Sequence, residues 1–102
     1  MYLGLDLGTS GLRAVLVDGK GAVIAATDQS YPVSHPRSGW SEQDPADWVG
    51  SVERALDELA HSHGDALKSL RAIGLSGQMH GATLLDASDQ VLRPAILWND
   101  TR

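Results

Sequence analysis

A short polar segment near the start of the chain has the composition of a phosphate-binding turn. Residues 6–13 read DLGTSGLR, with the carboxylate of Asp6 just ahead of the turn. The hydroxyls of Thr9 and Ser10, together with exposed backbone amides, can donate hydrogen bonds to phosphate oxygens. The Asp6 carboxylate suits a magnesium ion that keeps most of its water, and Arg13 is a further candidate phosphate ligand.

The same segment excludes the two commonest nucleotide-binding motifs. It lacks the GK[ST] of a P-loop and the G-x-G-x-x-G of a dinucleotide fold, and a strand pattern follows it where both motifs need a helix. Gly8 and Gly11 allow a ligand to come close to the backbone. From these residues alone, a plain tight hairpin between two strands remains an equal alternative.

A second candidate segment, SGQMHG at 76–81, follows a predicted strand. Met79 and His80 stand between two glycines that leave room for a ligand. His80 also fits a hydrogen-bonded histidine without a ligand, and Met79 fits a core side chain. In LWNDTR at 97–102, Asp100 and Arg102 fit either a cleft wall or a local ion pair, and the role of Trp98 stays open.

Other suggestive side chains are better explained by structure than by chemistry. His61 and His63 are two apart on a predicted helix, so they do not share a face and we expect no metal site there. Trp48 falls on the apolar stripe of that helix and is expected in the core. Trp40 is expected to anchor its loop.

The first thirty residues predict an antiparallel meander of three strands. Residues 2–7 alternate, which places Asp6 at the far end of a strand on its open face. Residues 12–18 continue with a β-branched pattern, and tight turns precede a third strand at roughly 22–30.

The remaining residues predict a loop, a helix, a strand and a hairpin. Residues 31–44 read as a loop, after which Asp44 as N-cap and Pro45 begin a helix over about 45–62, with Gly64 as its stop. Residues 70–75 are predicted to begin the next strand. It should lie parallel to the first and beside it, because a strand–helix–strand connection within one sheet is nearly always a right-handed parallel crossover. The residues predicted to form the final hairpin are 82–86 and 91–98.

Composition limits the possible partners. The chain has 102 residues, 13 acidic and 8 basic side chains, a net charge of −5 and no cysteine. This length fits one globular domain and is short for a two-domain enzyme. The acidic balance argues against nucleic acid and anionic membranes, and the absence of cysteine is consistent with a cytoplasmic protein.

Several motifs in order resemble the FGGY family of carbohydrate kinases, over the whole chain. A strand ending in DLGTS and followed by two antiparallel strands is similar to the first phosphate-binding hairpin of the actin, hexokinase and sugar-kinase superfamily. GWSEQDP at 39–45 resembles a loop of the FGGY kinases, and GQMHG with LWNDTR resembles their xylulokinase branch. The resemblance implies an α/β, ribonuclease-H-like fold with a mixed sheet.

The resemblance also implies an activity and roles for the candidate residues. The activity is transfer of the γ-phosphoryl group of ATP to the 5-hydroxyl of D-xylulose, with Mg²⁺ as cofactor. Asp6 would help to position magnesium, through water, and the phosphates. Met79 and His80 would line the sugar site. The residues that would lie at the phosphate tail are Gly8, Thr9, Ser10 and Arg13.

In the family, a later aspartate acts as the base and a second domain supplies most adenine contacts. Residues 1–102 are therefore expected to be the N-terminal part of kinase domain I, inactive alone, with the rest of the kinase chain as a partner and a homodimer left open. Two alternatives stay open. One is another FGGY kinase, for glycerol, gluconate or a different pentulose; glycerol kinases carry arginine and glutamate in place of Met79-His80. The other is a non-catalytic, actin-like nucleotide-binding module.

Overall fold

The computed structural model describes residues Met1–Arg102 and contains six strands and one helix. The strands are β1 (Tyr2–Leu7), β2 (Gly11–Val17), β3 (Val23–Ser30), β4 (Glu42–Gln43), β5 (Ala72–Gly77) and β6 (Ala95–Ile96), and the helix is α1 (Pro45–Lys68). No helix of the structure combines the length and the apolar character that crossing a membrane requires.

The main sheet has the strand order β3-β2-β1-β5, and β1 is hydrogen-bonded along both edges. β1 pairs antiparallel with β2, placing Asp6 opposite Arg13, and parallel with β5, placing Asp6 opposite Ser76. The predicted meander and the parallel strand beside β1 are both confirmed. The ends of β1 and β5, more than sixty residues apart in the chain, therefore meet at one edge of the sheet.

The core lies between one face of this sheet and α1. Leu3 and Leu5 from β1 and Leu12 from β2 contribute from the sheet, and Ala55 and Leu59 contribute from the helix. Each buried leucine contributes about 1.5–3 kcal/mol relative to an exposed one. The opposite face of β1, which carries Asp6, remains exposed.

The helix begins as predicted and ends later. Asp44 caps it by accepting a hydrogen bond from the Ala46 amide at 2.9 Å, with Pro45 in the first turn. The predicted end near residue 62 and stop at Gly64 are wrong. The break is a single non-helical residue, His63, after which the helix resumes to Lys68 and Leu67 packs against the core.

The second part of the chain forms the predicted hairpin only in part. Residues 82–86 and 91–98 do not form two continuous strands, but two isolated antiparallel bridges, Ala82 with Ile96 and Leu85 with Val91, join them around a turn closed by Asp86. The strand β6 also pairs with β4, which lies inside the segment predicted to be a loop. A two-residue strand is too short to show an alternating pattern, and its partner is fixed by the tertiary fold.

The strands β2 and β3 approach each other closely at Gly11, where a side chain would not fit. A Cβ at Gly11 would lie 2.4 Å from the backbone oxygen of Gln29, whereas one at Gly19 would meet nothing within 4 Å. Gly11→Ala should lower the free energy of unfolding by about 1–3 kcal/mol, the usual cost of overpacking. Chemical denaturation measures this, with Gly19→Ala as the control. Equal stabilities of the two variants would contradict the prediction.

Candidate active site

The β1–β2 turn (Gly8–Gly11) presents free backbone donors at the edge of the sheet. The Gly8 amide donates to the Gly11 carbonyl at 2.9 Å and closes the turn. The amides of Thr9 and Ser10, by contrast, donate to no acceptor in the protein, and neither does the Ser10 hydroxyl. Two adjacent unpaired amides form a site at which phosphate oxygens can be bound.

Asp6 lies beside this turn on the open face of the sheet. The Ser76 hydroxyl, from the neighbouring parallel strand, donates to its Oδ1 at 2.9 Å. Two shallow clefts of about 390 and 410 Å³ share Asp6 and Arg13 in their walls. A single exposed carboxylate next to unpaired amides fits a largely hydrated magnesium ion better than an ion enclosed by protein ligands.

Arg13 lies across from Asp6 and is already paired. Its guanidinium donates from Nη1 to both carboxylate oxygens of Asp28, at 3.0 Å each. Both side chains are more than half exposed, so the pair contributes little to stability. Arg13 lines both clefts, as a phosphate ligand would require, but Asp28 offsets part of its charge.

The Met79–His80 segment follows β5 after one residue, Gln78, and lies near the β1–β2 turn. The Gln78 amide donates to the Leu7 carbonyl at 2.8 Å, which continues the pairing of β5 with β1. Met79 is 60% exposed and is therefore not a core residue. His80 is exposed and has a φ of 61°, a left-handed conformation that is uncommon outside glycine and found at functional sites.

Three residues, Thr9 of the turn together with Gln43 and Gln78, form a closed set of hydrogen bonds, here called the Thr9–Gln43–Gln78 ring. The Thr9 hydroxyl donates to Gln78 Oε1 at 3.3 Å, Gln78 Nε2 donates to Gln43 Oε1 at 2.9 Å, and Gln43 Nε2 donates to the Thr9 carbonyl. Two indoles donate into the ring, Trp98 to Thr9 Oγ1 at 2.9 Å and Trp48 to Gln43 Oε1 at 3.0 Å.

Two residues of the ring and one that donates into it have functions that sequence reasoning missed. Gln43 was only part of a predicted loop, and Gln78 and Trp98 had no assigned role. Trp48 packs against the core, as predicted, but also bonds to Gln43. A glutamine placed directly before the helix cap was the available signal, yet two of its three partners, Thr9 and Gln78, lie more than thirty residues away in opposite directions.

Tyr31 supports the β1–β2 turn from the other side. Its hydroxyl donates to the Gly8 carbonyl, and its side chain belongs to the core. Burial raises the pKa of the Tyr31 phenol above its usual value of 10.0, and the nearby Asp6 carboxylate raises it further. The negative charge of Asp6 therefore acts on Tyr31, the residue whose hydroxyl holds the turn in place.

Asp100 and Arg102 form an ion pair that also involves the 40–42 segment. Nη2 of Arg102 donates to Asp100 at 2.7 Å and to the buried Glu42 at 2.8 Å, and the guanidinium lies 3.6 Å from the centre of the Trp40 ring. The hydrogen bonds from Arg102 hold the pKa of Asp100 well below its usual range. These four residues, Trp40, Glu42, Asp100 and Arg102, are called the Arg102 cluster. They hold two segments of the chain together, and the positive charge of Arg102 is already neutralised by carboxylates of the protein.

Comparison with known protein families gives one match over the whole chain. The model of the FGGY family of carbohydrate kinases, N-terminal domain, matches residues 1–102. The xylulose kinase of Escherichia coli (strain K12) is 52% identical over 102 residues, which are 100% of this chain and 21% of that protein.

Two solved structures show similar folds. A "xyloylose kinase" from Brucella ovis superposes with a TM-score of 0.96 at 55% identity, over 99% of this chain and 21% of that one. A gluconate kinase from Lactobacillus acidophilus superposes with a TM-score of 0.88 at 29% identity, over 97% of this chain and 20% of that one. The chain thus spans about a fifth of the length of these relatives.

The raised pKa of Tyr31 predicts a loss of stability in alkali. Above the usual tyrosine pKa of about 10, the unfolded chain releases a proton that folded Tyr31 retains, so the free energy of unfolding falls as pH rises further. Tyr31→Phe should show a shallower fall. Denaturation at neutral and increasingly alkaline pH measures this, with Tyr2→Phe, an exposed tyrosine, as the control. Identical slopes for wild type and Tyr31→Phe would refute the prediction.

Proposed function

The chain belongs to the FGGY family of carbohydrate kinases, and we propose that it forms the N-terminal part of an ATP-dependent kinase that converts D-xylulose to D-xylulose 5-phosphate. The observation that carries this proposal is the placement of two unpaired amides, at Thr9 and Ser10, beside the Asp6 carboxylate and next to the Met79–His80 segment. One edge of the sheet thus presents unpaired backbone donors and an exposed segment side by side, which supports a phosphate site next to a sugar site.

The phosphate half of this site fits the demands of phosphoryl transfer, which are mainly alignment and charge neutralisation. In our proposal the amides of Thr9 and Ser10 bind phosphate oxygens, Gly8 allows their close approach, and Arg13 lies near them. Asp6 would hold a magnesium ion through water. When bound, such an ion neutralises charge on the phosphates.

The sugar half consists of the exposed Met79 and His80. An imidazole can donate to or accept from a hydroxyl, and a thioether can pack against the apolar edge of a sugar. In the reaction, the 5-hydroxyl oxygen of D-xylulose bonds to the γ-phosphorus, the bond from that phosphorus to the bridging oxygen of ADP breaks, and the hydroxyl proton passes to a base. The family resemblance implies that this base is an aspartate beyond residue 102.

Two further features belong to the same proposal. The meander, the single helix and the parallel strand β5 fit the first part of a ribonuclease-H-like fold, as in kinase domain I. The rest of the kinase chain would then supply the adenine contacts, and the protein would work in the cytoplasm, where ATP is available.

A second candidate function is phosphorylation of a different substrate, such as gluconate, glycerol or another pentulose. The similarity to a gluconate kinase at 29% identity favours it, because one fold in this family accommodates different substrates. The higher identity to two kinases named for xylulose, 52% and 55%, favours the first proposal.

The choice between substrates can be tested directly. We expect the protein, at the full length of its relatives, to phosphorylate D-xylulose with a higher kcat/KM than gluconate, glycerol or other pentuloses. A coupled assay of ADP release over this panel measures the ratio. A clear preference for gluconate or glycerol would exclude the proposed substrate.

Asp6→Asn tests the phosphate site. The variant keeps an oxygen that can accept from Ser76 but loses the negative charge, so kcat should fall by about a hundredfold or more, the cost of losing one preorganised electrostatic contact. Its thermal stability should change little, since Asp6 is exposed. Asp18→Asn, a carboxylate in the β2–β3 turn at the other end of the sheet, is the control. An unchanged kcat in Asp6→Asn would rule out the assigned role.

A further inference from the structure

Gln43 is a buried polar side chain that touches both halves of the candidate site. It is 2% exposed, and its amide group makes three hydrogen bonds, one to the β1–β2 turn through Thr9, one to Gln78 and one to Trp48. A buried amide left without hydrogen-bond partners lowers the stability of the fold by about 1–3 kcal/mol. The three hydrogen bonds of Gln43 are therefore expected to be kept together in the folded protein.

The direction of every hydrogen bond in the Thr9–Gln43–Gln78 ring follows from the Trp48 indole, which can only donate. Because Trp48 donates to one end of the Gln43 amide, that end is the oxygen, and the nitrogen must face the Thr9 carbonyl. Because the Gln43 oxygen can only accept, the Gln78 atom that faces it is the nitrogen, which donates. Gln78 Oε1 therefore faces Thr9 and accepts from its hydroxyl, whose oxygen in turn accepts from Trp98.

The contact with Thr9 also orients a donor of the phosphate site. The Thr9 carbonyl and the Ser10 amide belong to the same planar peptide group. By donating to that carbonyl, Gln43 sets the direction of the Ser10 amide, which is unpaired and points away from the ring. On its other side, the ring holds Gln78, the residue directly before Met79 and His80.

We propose that Gln43 is a positioning residue that couples phosphate binding at the β1–β2 turn to the conformation of residues 78–80. The inference rests on the proposed function, because it takes the turn as the phosphate site and the segment after β5 as the sugar site. A shift of the Thr9–Ser10 peptide on phosphate binding changes the Gln43 hydrogen bond, and the ring passes this change to Gln78.

Hydrogen exchange tests this coupling in the protein at the full length of its relatives. The probe is a non-hydrolysable ATP analogue with Mg²⁺, added without sugar. In the wild type the analogue should slow exchange in residues 8–11 and also in residues 76–81, the latter by about fivefold or more, the usual lower range for coupled sites. In Gln43→Leu it should slow exchange in 8–11 only.

Controls separate coupling from a general loss of structure. Ser51→Ala removes another buried hydrogen bond, from Ser51 to the Trp48 carbonyl, without touching the ring, and should behave as the wild type. If Gln43→Leu does not fold, Gln78→Leu breaks the ring at a half-buried position and should give the same uncoupled pattern. Slowing in 76–81 that persists in the folded ring variant, or that is absent from the wild type, would overturn the proposal.

The same protein distinguishes this failure from failure of the proposed function. Suppose that the ATP analogue slows hydrogen exchange in residues 76–81 of the wild type, but not of the ring variant, and that the wild type does not phosphorylate D-xylulose. The proposed substrate is then wrong and the role of Gln43 stands. If the wild type phosphorylates D-xylulose but its exchange in residues 76–81 is unchanged by the analogue, the substrate stands and the role of Gln43 is wrong.

Discussion

The parallel pairing of β1 with β5 is the constraint on which the rest of the structure depends. It aligns Asp6 with Ser76 and extends one residue further through the bond from the Gln78 amide to the Leu7 carbonyl. Residues about seventy apart in the chain are thereby fixed within hydrogen-bond distance. A shift of one residue in this pairing would turn Ser76 to the other face of the sheet and away from Asp6.

An acidic chain can offer an anion site because the available donors are backbone amides. Two arginines that could serve an anion are already paired with carboxylates, Arg13 with Asp28 and Arg102 with Asp100 and Glu42. The amides of Thr9 and Ser10 carry no such partner. Recognition by fixed dipoles is directional and adds no net charge, which fits a site that a hydrated cation would complete.

The elements that follow local rules could be predicted from the sequence. The alternation of Leu3, Leu5 and Leu7 and the Asp44-Pro45 cap mark β1 and the start of α1, and both are confirmed. The crossover rule correctly placed the end of β5 beside the first turn. The prediction that the chain belongs to the FGGY family of carbohydrate kinases was also confirmed.

What depends on tertiary contacts could not be predicted. The strands β4 and β6 are two residues each and stabilise one another across about fifty residues of chain. Gln43 looked like a loop residue because nothing local shows that its amide will be buried between Thr9 and Gln78. The helix extends past Gly64 because packing of Leu67 outweighs the local preference for a stop.

The Arg102 cluster has a consequence for which side chains position 102 can accept. The arginine must stack flat on the Trp40 ring while its nitrogens reach the carboxylates of Asp100 and Glu42. A planar guanidinium can satisfy both demands at once, whereas a lysine ammonium is a point charge with no flat face. Position 102 therefore requires a flat side chain as well as a positive charge, and lysine cannot replace the arginine there without loss of the stacking contact.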